Sequence, residues 1–486
     1  MTADIVRQIP MDQPRVSTSR LHLAALMLGA LVLYTVNVDF TLYGDAALYS
    51  DYVVLRKFDE LTLHLGYYVA LFGTNTLLGG LLGVPIEQAA VWLNIVAGTL
   101  SVGVAYLLAA ELFGNRRDAL LCSIVFAVSG RVFINSTTSE IYMLQTLFVL
   151  SSFFLFMRER VVLSGIACAL ALLVSPLSAF AYLFYPVYDY QRAGTIRWSV
   201  LLRLAGVGLL IYVPYLIIDG HELFFGLRGL LVIRDIVKDD PLASIKHFPV
   251  YQFKAFSVMA LLVVPALLAW RANTRLIVLA LAVAIPHLYI IFKLTGEDHV
   301  FILSTDFFFA ACIVTGWRQL ERFAAVQWIP PILLAGHLAL FIASGTIHRF
   351  EPNRDYADGM REVVAKYLRG RDAIIVTDWS RAVGLTFFGR PTPTTTLLEE
   401  PLFKEQIFDI QGAPMPPLSR LDRSEIFLLD PWTTSPLNTF LRSRASLEAL
   451  RQEHSIVTIA DRVLGLQCTL VEETVHPIYK CVRRRT

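Results

Sequence analysis

The run LHLAALMLGALVLYTVNV, residues 21–38, decides the class of this chain. It holds no Asp, Glu, Lys or Arg, and as a helix it is about long enough to cross ~30 Å of hydrocarbon. Arg15 and Arg20 precede it and no small-residue cleavage site follows, so it reads as a retained first span rather than a signal peptide. Runs of the same character recur up to residue 346. With 55% hydrophobic residues, 17% charged residues and a mean hydropathy of +0.57, the chain is too apolar for a soluble protein and too charged for a bare bundle. The expected fold class is a polytopic α-helical membrane protein with a polar appendage.

Charge gives the topology. Basic pairs lie between apolar runs at Arg116-Arg117, Arg158/Arg160, Arg192/Arg197, Arg271/Arg275 and Arg318/Arg322, and the positive-inside rule places them, with residues 1–20, in the cytoplasm. Parity then requires about nine full spans. They go out over 21–38, 119–135, 198–218, 275–293 and 327–346, and return over 88–112, 140–157, 253–270 and 300–317. Two runs must fail to cross. Residues 161–190, broken at Pro176, predict a half-depth hairpin, because each half is short of the roughly twenty residues a span needs. Residues 61–84, with His64, Asn75 and several glycines, predict a re-entrant or interfacial segment on the outer side. The membrane domain is thus 21–346, and loops 39–87, 136–139, 219–252 and 294–299 open outward.

Beyond residue 346 the pattern changes. Helical apolar spacing runs from Asp355 to Leu368, and the short runs 373–377 and 425–429 end at Asp378 and Asp430 as buried strands do. A small extracytoplasmic α/β domain is expected over 347–486. Cys468 and Cys481 flank its last predicted strand pair, which leaves a disulfide and two free thiols as alternatives.

Candidate chemistry clusters at the outer membrane edge. Asp45, in Gly44-Asp45-Ala46-Ala47-Leu48-Tyr49, sits among small and aromatic residues, where partial desolvation suits a general base that takes a proton from a hydroxyl; a helix-capping aspartate reads the same way. Tyr49 is a substrate-contact candidate beside it. Glu140, in Ser139-Glu140-Ile141-Tyr142, is either a second carboxylate that holds the acceptor or tunes Asp45, or part of a capping box. Arg131 lies about one turn inside the outer end of a span, where its guanidinium must snorkel or meet an anion such as a phosphate. His64 and Lys293 are further candidates for that phosphate, and Asp298, His299 and Arg228 for sugar or substrate contacts. The loop 219–252 also has the make-up of an amphipathic interfacial helix that frames a lipid entrance or merely covers the bundle. No Walker loop, HExxH, CxxC, GxSxG or Asp-x-Asp motif is present, so nucleotide, zinc and nucleotide-sugar chemistry find no support.

On these residues the chain resembles a family. Tyr43-Gly44-Asp45 in the first outer loop, the histidine-led segment from His64 to a glycine-rich turn at Gly83, Glu111-Leu112-Phe113-Gly114, and Ser139-Glu140-Ile141-Tyr142 before an apolar run closing at Arg158 are similar to the GT-C superfamily of polyprenyl-phosphate-sugar-dependent glycosyltransferases. The nearest branches are the protein O-mannosyltransferase-like and aminoarabinose-transferase-like ones. Two positions depart from the pattern: the usual His-Pro-Pro is His64-Leu65-Gly66, and a hairpin position often held by lysine or histidine reads Val174-Ser175-Pro176-Leu177.

The resemblance implies a sugar donor on a polyprenyl phosphate and an acceptor glycan, lipid or protein; the expected location is a cytoplasmic or inner membrane, with the C-terminal domain extracytoplasmic. In that scheme Asp45 and Glu140 do the catalytic work while Arg131, His64 or Lys293 meets the leaving phosphate. Because phosphate leaves readily, no metal or other cofactor is required, though a divalent cation is compatible. No nucleic acid partner is expected. Two other readings stay open: a polysaccharide polymerase or ligase using a diphosphate-linked glycan, and a lipid or sugar transporter, which should carry polar residues near the midplane.

Overall fold

The computed structural model describes residues 19–38, 49–50, 53, 64–215, 217, 250, 252–293 and 303–343, and five strands between 373 and 483. The chain forms two compact units. One contains Met1–Val38, Leu61–Val69 and Trp92–His348; the other contains Asp39–Glu60, Ala70–Val91 and Arg349–Thr486.

Helices follow the apolar runs. α1 is Arg20–Thr35, N-capped by the Ser19 hydroxyl. α2 is Leu65–Leu82, α3 Ile86–Phe113, α4 Arg116–Ala127, α5 Gly130–Thr137, α6 Tyr142–Met157 and α7 Val161–Val174. A 3-10 turn, Pro176–Leu183, leads into α8, Phe184–Ala193, and α9 spans Trp198–Tyr215. The helical segment Gln252–Leu268 contains a 3-10 turn, Ser257–Leu262, and ends as α10, Val263–Leu268. Three more follow: α11 (Trp270–Lys293), α12 (Leu303–Glu321) and α13 (Ile329–Ala343).

By length and composition, α2, α3 and α9 could each cross a membrane, and the bent pair α4–α5 makes a fourth. Large apolar side chains on α2 and α9 are exposed, Leu77, Leu81, Leu202, Leu209 and Leu210 among them, as lipid-facing residues are. The chain is an integral membrane protein.

One element differs from the sequence reading. Residues 119–135 do not form one straight helix: α4 and α5 meet at 61°. The cause is local, since Ser129 takes an extended conformation and its hydroxyl accepts the Val132 N–H, starting a new helix. Residues 65–82 of the glycine-bearing segment form one continuous helix. α2 runs unbroken for 18 residues, with the Thr74 and Thr76 hydroxyls folded back on the carbonyls of Ala70 and Phe72, and it stops only at Gly83, whose φ of +68° closes the last turn. The break expected near Pro176 is present, because α7 ends at Val174 and the 3-10 turn starts at the proline.

In the first unit the helices approach closely where glycine allows it. A Cβ at Gly316 on α12 would collide with the Leu262 carbonyl, and one at Gly66 would stand 2.7 Å from the Val174 amide nitrogen. Phe126, Phe153, Phe184, Phe307 and Phe308 fill the space between α4, α6, α8 and α12.

Of the second unit's tail the strands are described. β1 (Ala373–Thr377), β2 (Thr394–Thr396), β3 (Glu425–Leu429), β4 (Leu466–Glu472) and β5 (Ile478–Arg483) form one sheet in the order β2-β1-β3-β5-β4. β1 is parallel to β2 and β3, and β5 is antiparallel to β3 and β4. The two apolar runs at 373–377 and 425–429 are its parallel centre. Cys468 and Cys481 stand opposite each other on β4 and β5 and form a disulfide. The helix expected over 355–368 lies outside the described residues.

Candidate active site

The first unit has two polar ends. At one, the basic pairs meet acids: Arg158 bonds Glu111 at 2.7 Å, Arg318 bonds Asp118 at 3.1 Å, Arg192 bonds Glu159 at 3.0 Å, and Arg197 bonds Asp189 at 2.6 Å. Arg117 pairs with Glu321. Burial works against the Glu321 carboxylate, but the hydrogen bonds from Arg117 and Trp317 outweigh it and hold its pKa below the ordinary value. These contacts join the ends of α3, α6 and α12 to the start of α4 and to α8, which gathers the basic groups at one level, as the positive-inside rule expects.

The opposite end is built around the corner 138–141, between α5 and α6. Asn94, deep in α3, donates its amide to the carbonyls of Thr138, at 2.7 Å, and of Glu140. Tyr67 on α2 donates to the intervening carbonyl, Ser139, at 3.2 Å. Three successive carbonyls that would otherwise be stranded in an apolar bundle are therefore satisfied by side chains. One turn along α3, Gly98 leaves room for the Ser136 side chain. The corner's backbone is held from two other helices.

Glu140 stands on this corner and is 7% exposed. The capping-box alternative is not realised: α6 begins at Tyr142 after Ile141, and no side chain caps it. His64, just ahead of α2, sends its ring Nδ1 to the Val174 carbonyl at 2.7 Å, at the end of α7. A carbonyl only accepts, so Nδ1 carries the proton in this contact.

Arg131 is deeply buried in the first turn of α5. Its guanidinium grips the Asp306 carboxylate, with Nε to Oδ2 at 3.0 Å and Nη2 on Oδ1, and Nη2 also donates to Gln252 at 3.0 Å. The Ser129 hydroxyl donates to the same carboxylate at 3.3 Å. Alongside, His337 on α13 donates Nε2–H to the Val128 carbonyl at 3.0 Å and accepts the Ser257 hydroxyl at Nδ1, 2.7 Å away. The α4–α5 break is thus held by α12, by α13 and by the 252–257 segment. Ser257 itself has φ +44°, an uncommon conformation for a non-glycine residue.

Of the residues singled out from sequence, His64, Arg131 and Glu140 lie in this first unit. Tyr49 is buried in the second. Lys293 ends α11, but its side chain lies outside the described residues, as do Asp45, Arg228, Asp298 and His299 in full. Asn135, which begins an Asn-Ser-Thr glycosylation sequon, is buried in α5 with its amide donating to the Arg131 carbonyl, and so is closed to modification. Sequence reading missed Asn94, Tyr67, Gln252 and Ser129. A signal existed for Asn94, a polar residue in the middle of an apolar run.

No protein-family model matches the sequence, and no curated protein does. Solved structures do. The aminoarabinose transferase ArnT from Cupriavidus metallidurans superposes with a TM-score of 0.60 in the apo state and 0.61 bound to undecaprenyl phosphate, at 13% and 14% identity. The match covers 94–95% of this chain and 97–98% of ArnT. The chain has the GT-C fold. The Archaeoglobus fulgidus oligosaccharyltransferase, also of this fold, matches with a TM-score of 0.50 at 11% identity, over 77% of this chain and 64% of its own. At such identities the GT-C likeness concerns the fold, and the chemistry must be argued from the residues.

Proposed function

We propose that this chain is an inverting glycosyltransferase of the membrane that moves a sugar from a polyprenyl phosphate to an acceptor hydroxyl. The observation that carries the reading is the placing of charge. The basic pairs, matched with acids, gather at one end of the first unit, while Glu140 and the buried Arg131–Asp306 pair lie at the other, in a GT-C fold matched over nearly its whole length by a protein crystallised with undecaprenyl phosphate. A transporter would need polar groups near the midplane instead. Under the positive-inside rule the Glu140 end faces away from the cytoplasm, and the Cys468–Cys481 disulfide suits an oxidising compartment.

In this reading the acceptor oxygen bonds to the anomeric carbon from the face opposite the phosphate. Its proton passes to Asp45, and the carbon–oxygen bond to the phosphate breaks with its electron pair leaving on the polyprenyl phosphate. Positioned proton transfer of this kind is worth ~10²–10⁴-fold. Glu140, on a corner tied down by Asn94 and Tyr67, holds the acceptor or tunes Asp45. Lys293 and His64 meet the phosphate, Lys293 as a point charge that needs no paired hydrogen bonds. His64, with Nδ1–H committed to Val174, can donate to an anion through Nε2 only as an imidazolium.

The test is recognition of the phosphate. Purified protein should melt at a higher temperature with undecaprenyl phosphate, saturably, and not with undecaprenol. Equal responses to the two lipids would mean that the chain binds the isoprenoid alone, and the reading would be lost.

A further inference from the structure

The sequence offered Arg131 to the donor phosphate, and the structure gives it another task. We infer that Asp306 is a positioning residue: through Ser129 and Arg131 it sets the direction in which α5 leaves the α4 break, and with it the place of Glu140 just past the far end of that helix. The inference rests on the glycosyl-transfer reading for why the place of Glu140 matters, but not for the geometry.

Three observations converge on it. Asp306 is fully buried, and one of its oxygens accepts from both the Ser129 hydroxyl and Arg131 Nε. Ser129 is the residue that starts α5, because the same hydroxyl accepts the Val132 N–H at 3.3 Å. The carboxylate of α12 therefore holds the N-cap and the first-turn cation of α5 together. α5 is only eight residues long, so an error in its starting direction passes with little damping to the corner just beyond its end. The 61° bend has no proline; it falls at Ser129-Gly130, and the Ser129 hydroxyl that starts α5 is itself held by Asp306.

The pairing favours a positioning task for Arg131 over that of a phosphate ligand. To meet a phosphate through Nε or Nη2 it would have to leave a carboxylate with no exposure of its own, and a buried carboxylate stripped of its cation is strongly disfavoured. The two roles make opposite predictions for Asp306→Asn. If Asp306 positions Arg131, the variant loosens α5 and slows turnover without improving donor binding. If Asp306 merely parks a phosphate ligand, removing its charge frees Arg131 and tightens the donor.

The experiment is amide hydrogen exchange over residues 129–142 in purified wild type, Asp306→Asn and the milder Ser129→Ala, with transfer kinetics on the same samples. Exchange in that segment should rise about tenfold in Asp306→Asn and about threefold in Ser129→Ala, with α3 unchanged. Turnover should fall about tenfold or more while donor KM stays within about threefold. Exchange equal to wild type in both variants, or a donor KM lowered several-fold in Asp306→Asn, would overturn the inference. If Asp306→Asn does not fold, Ser129→Ala decides alone. Should wild type transfer no sugar from any donor, the glycosyl-transfer reading fails, and the exchange arm still judges the positioning role.

Discussion

Arg131 and Asp306 show what a charge inside this bundle requires. Their side chains are 5% and 0% exposed, so each depends on the other for the hydration it has lost. Removing one partner of such a pair typically costs about 3–5 kcal/mol, whereas replacing both with apolar residues of similar shape is often near neutral. We therefore expect Arg131→Ala to lower unfolding stability by about that amount, and the double variant Arg131→Met with Asp306→Leu to recover most of it in a denaturant melt. A double variant as unstable as the single one would mean that the polar contacts with Ser129 and Gln252 matter more than the charge pair. Glu140→Gln is the complementary case. It keeps the corner, whose carbonyls rather than the carboxylate are held by Asn94 and Tyr67, and should melt like wild type while losing about 10²-fold in transfer. Much of this was hidden from the sequence. Arg131 was conspicuous there as a cation inside an apolar run, but its partners lie 121 and 175 positions away, and no local spacing could have named them.

At the level of helices, apolar runs were legible and their ends were not. Runs of suitable length announced most of the helices, and Pro176 announced its own break. The bend between α4 and α5 escaped because Val128-Ser129-Gly130 contains no proline, and the break depends on the Ser129 hydroxyl and its neighbours. The glycines of α2 leave it continuous: in lipid a helix keeps its internal hydrogen bonds, so glycine costs less continuity than in water. Close crossings give the sharpest predictions at this scale. Gly316→Ala places a methyl against the Leu262 carbonyl and Gly66→Ala one against the Val174 backbone, in both cases with backbone on the far side that cannot rotate away. Each should destabilise by about 1–3 kcal/mol, Gly316→Ala the more, with Gly29→Ala, which meets nothing, as the control. Equal melts for all three would mean that these crossings are looser than described.

For the whole molecule, polarity along the membrane normal is what ties fold to function. The pairs Arg117–Glu321, Arg158–Glu111 and Arg192–Glu159 at the basic end are partly exposed and individually worth about 0–1 kcal/mol, so their significance is where they lie rather than what they add. The sheet gives an independent check of compartment. Cys468 and Cys481 should resist maleimide in intact membranes until a reductant is added, and labelling without reductant would place them in a reducing environment. What the sequence conveyed at this scale was a bundle with its basic pairs at one level and the candidate carboxylates Asp45 and Glu140 at the other. The GT-C resemblance, carried by Tyr43-Gly44-Asp45 and Ser139-Glu140-Ile141-Tyr142, agrees with the fold that the structural matches show. Asp45 itself lies outside the described residues, and it bears the largest part of the proposed chemistry. The most direct measurement is therefore release of radiolabelled sugar from polyprenyl-phosphate donors by wild type and Asp45→Asn, matched for expression and melting temperature. Wild type should consume donor, and the variant should lose about 10²-fold or more of that activity. Equal consumption by both would remove Asp45 as the base, and none by either, across several sugars and acceptor extracts, would contradict glycosyl transfer itself.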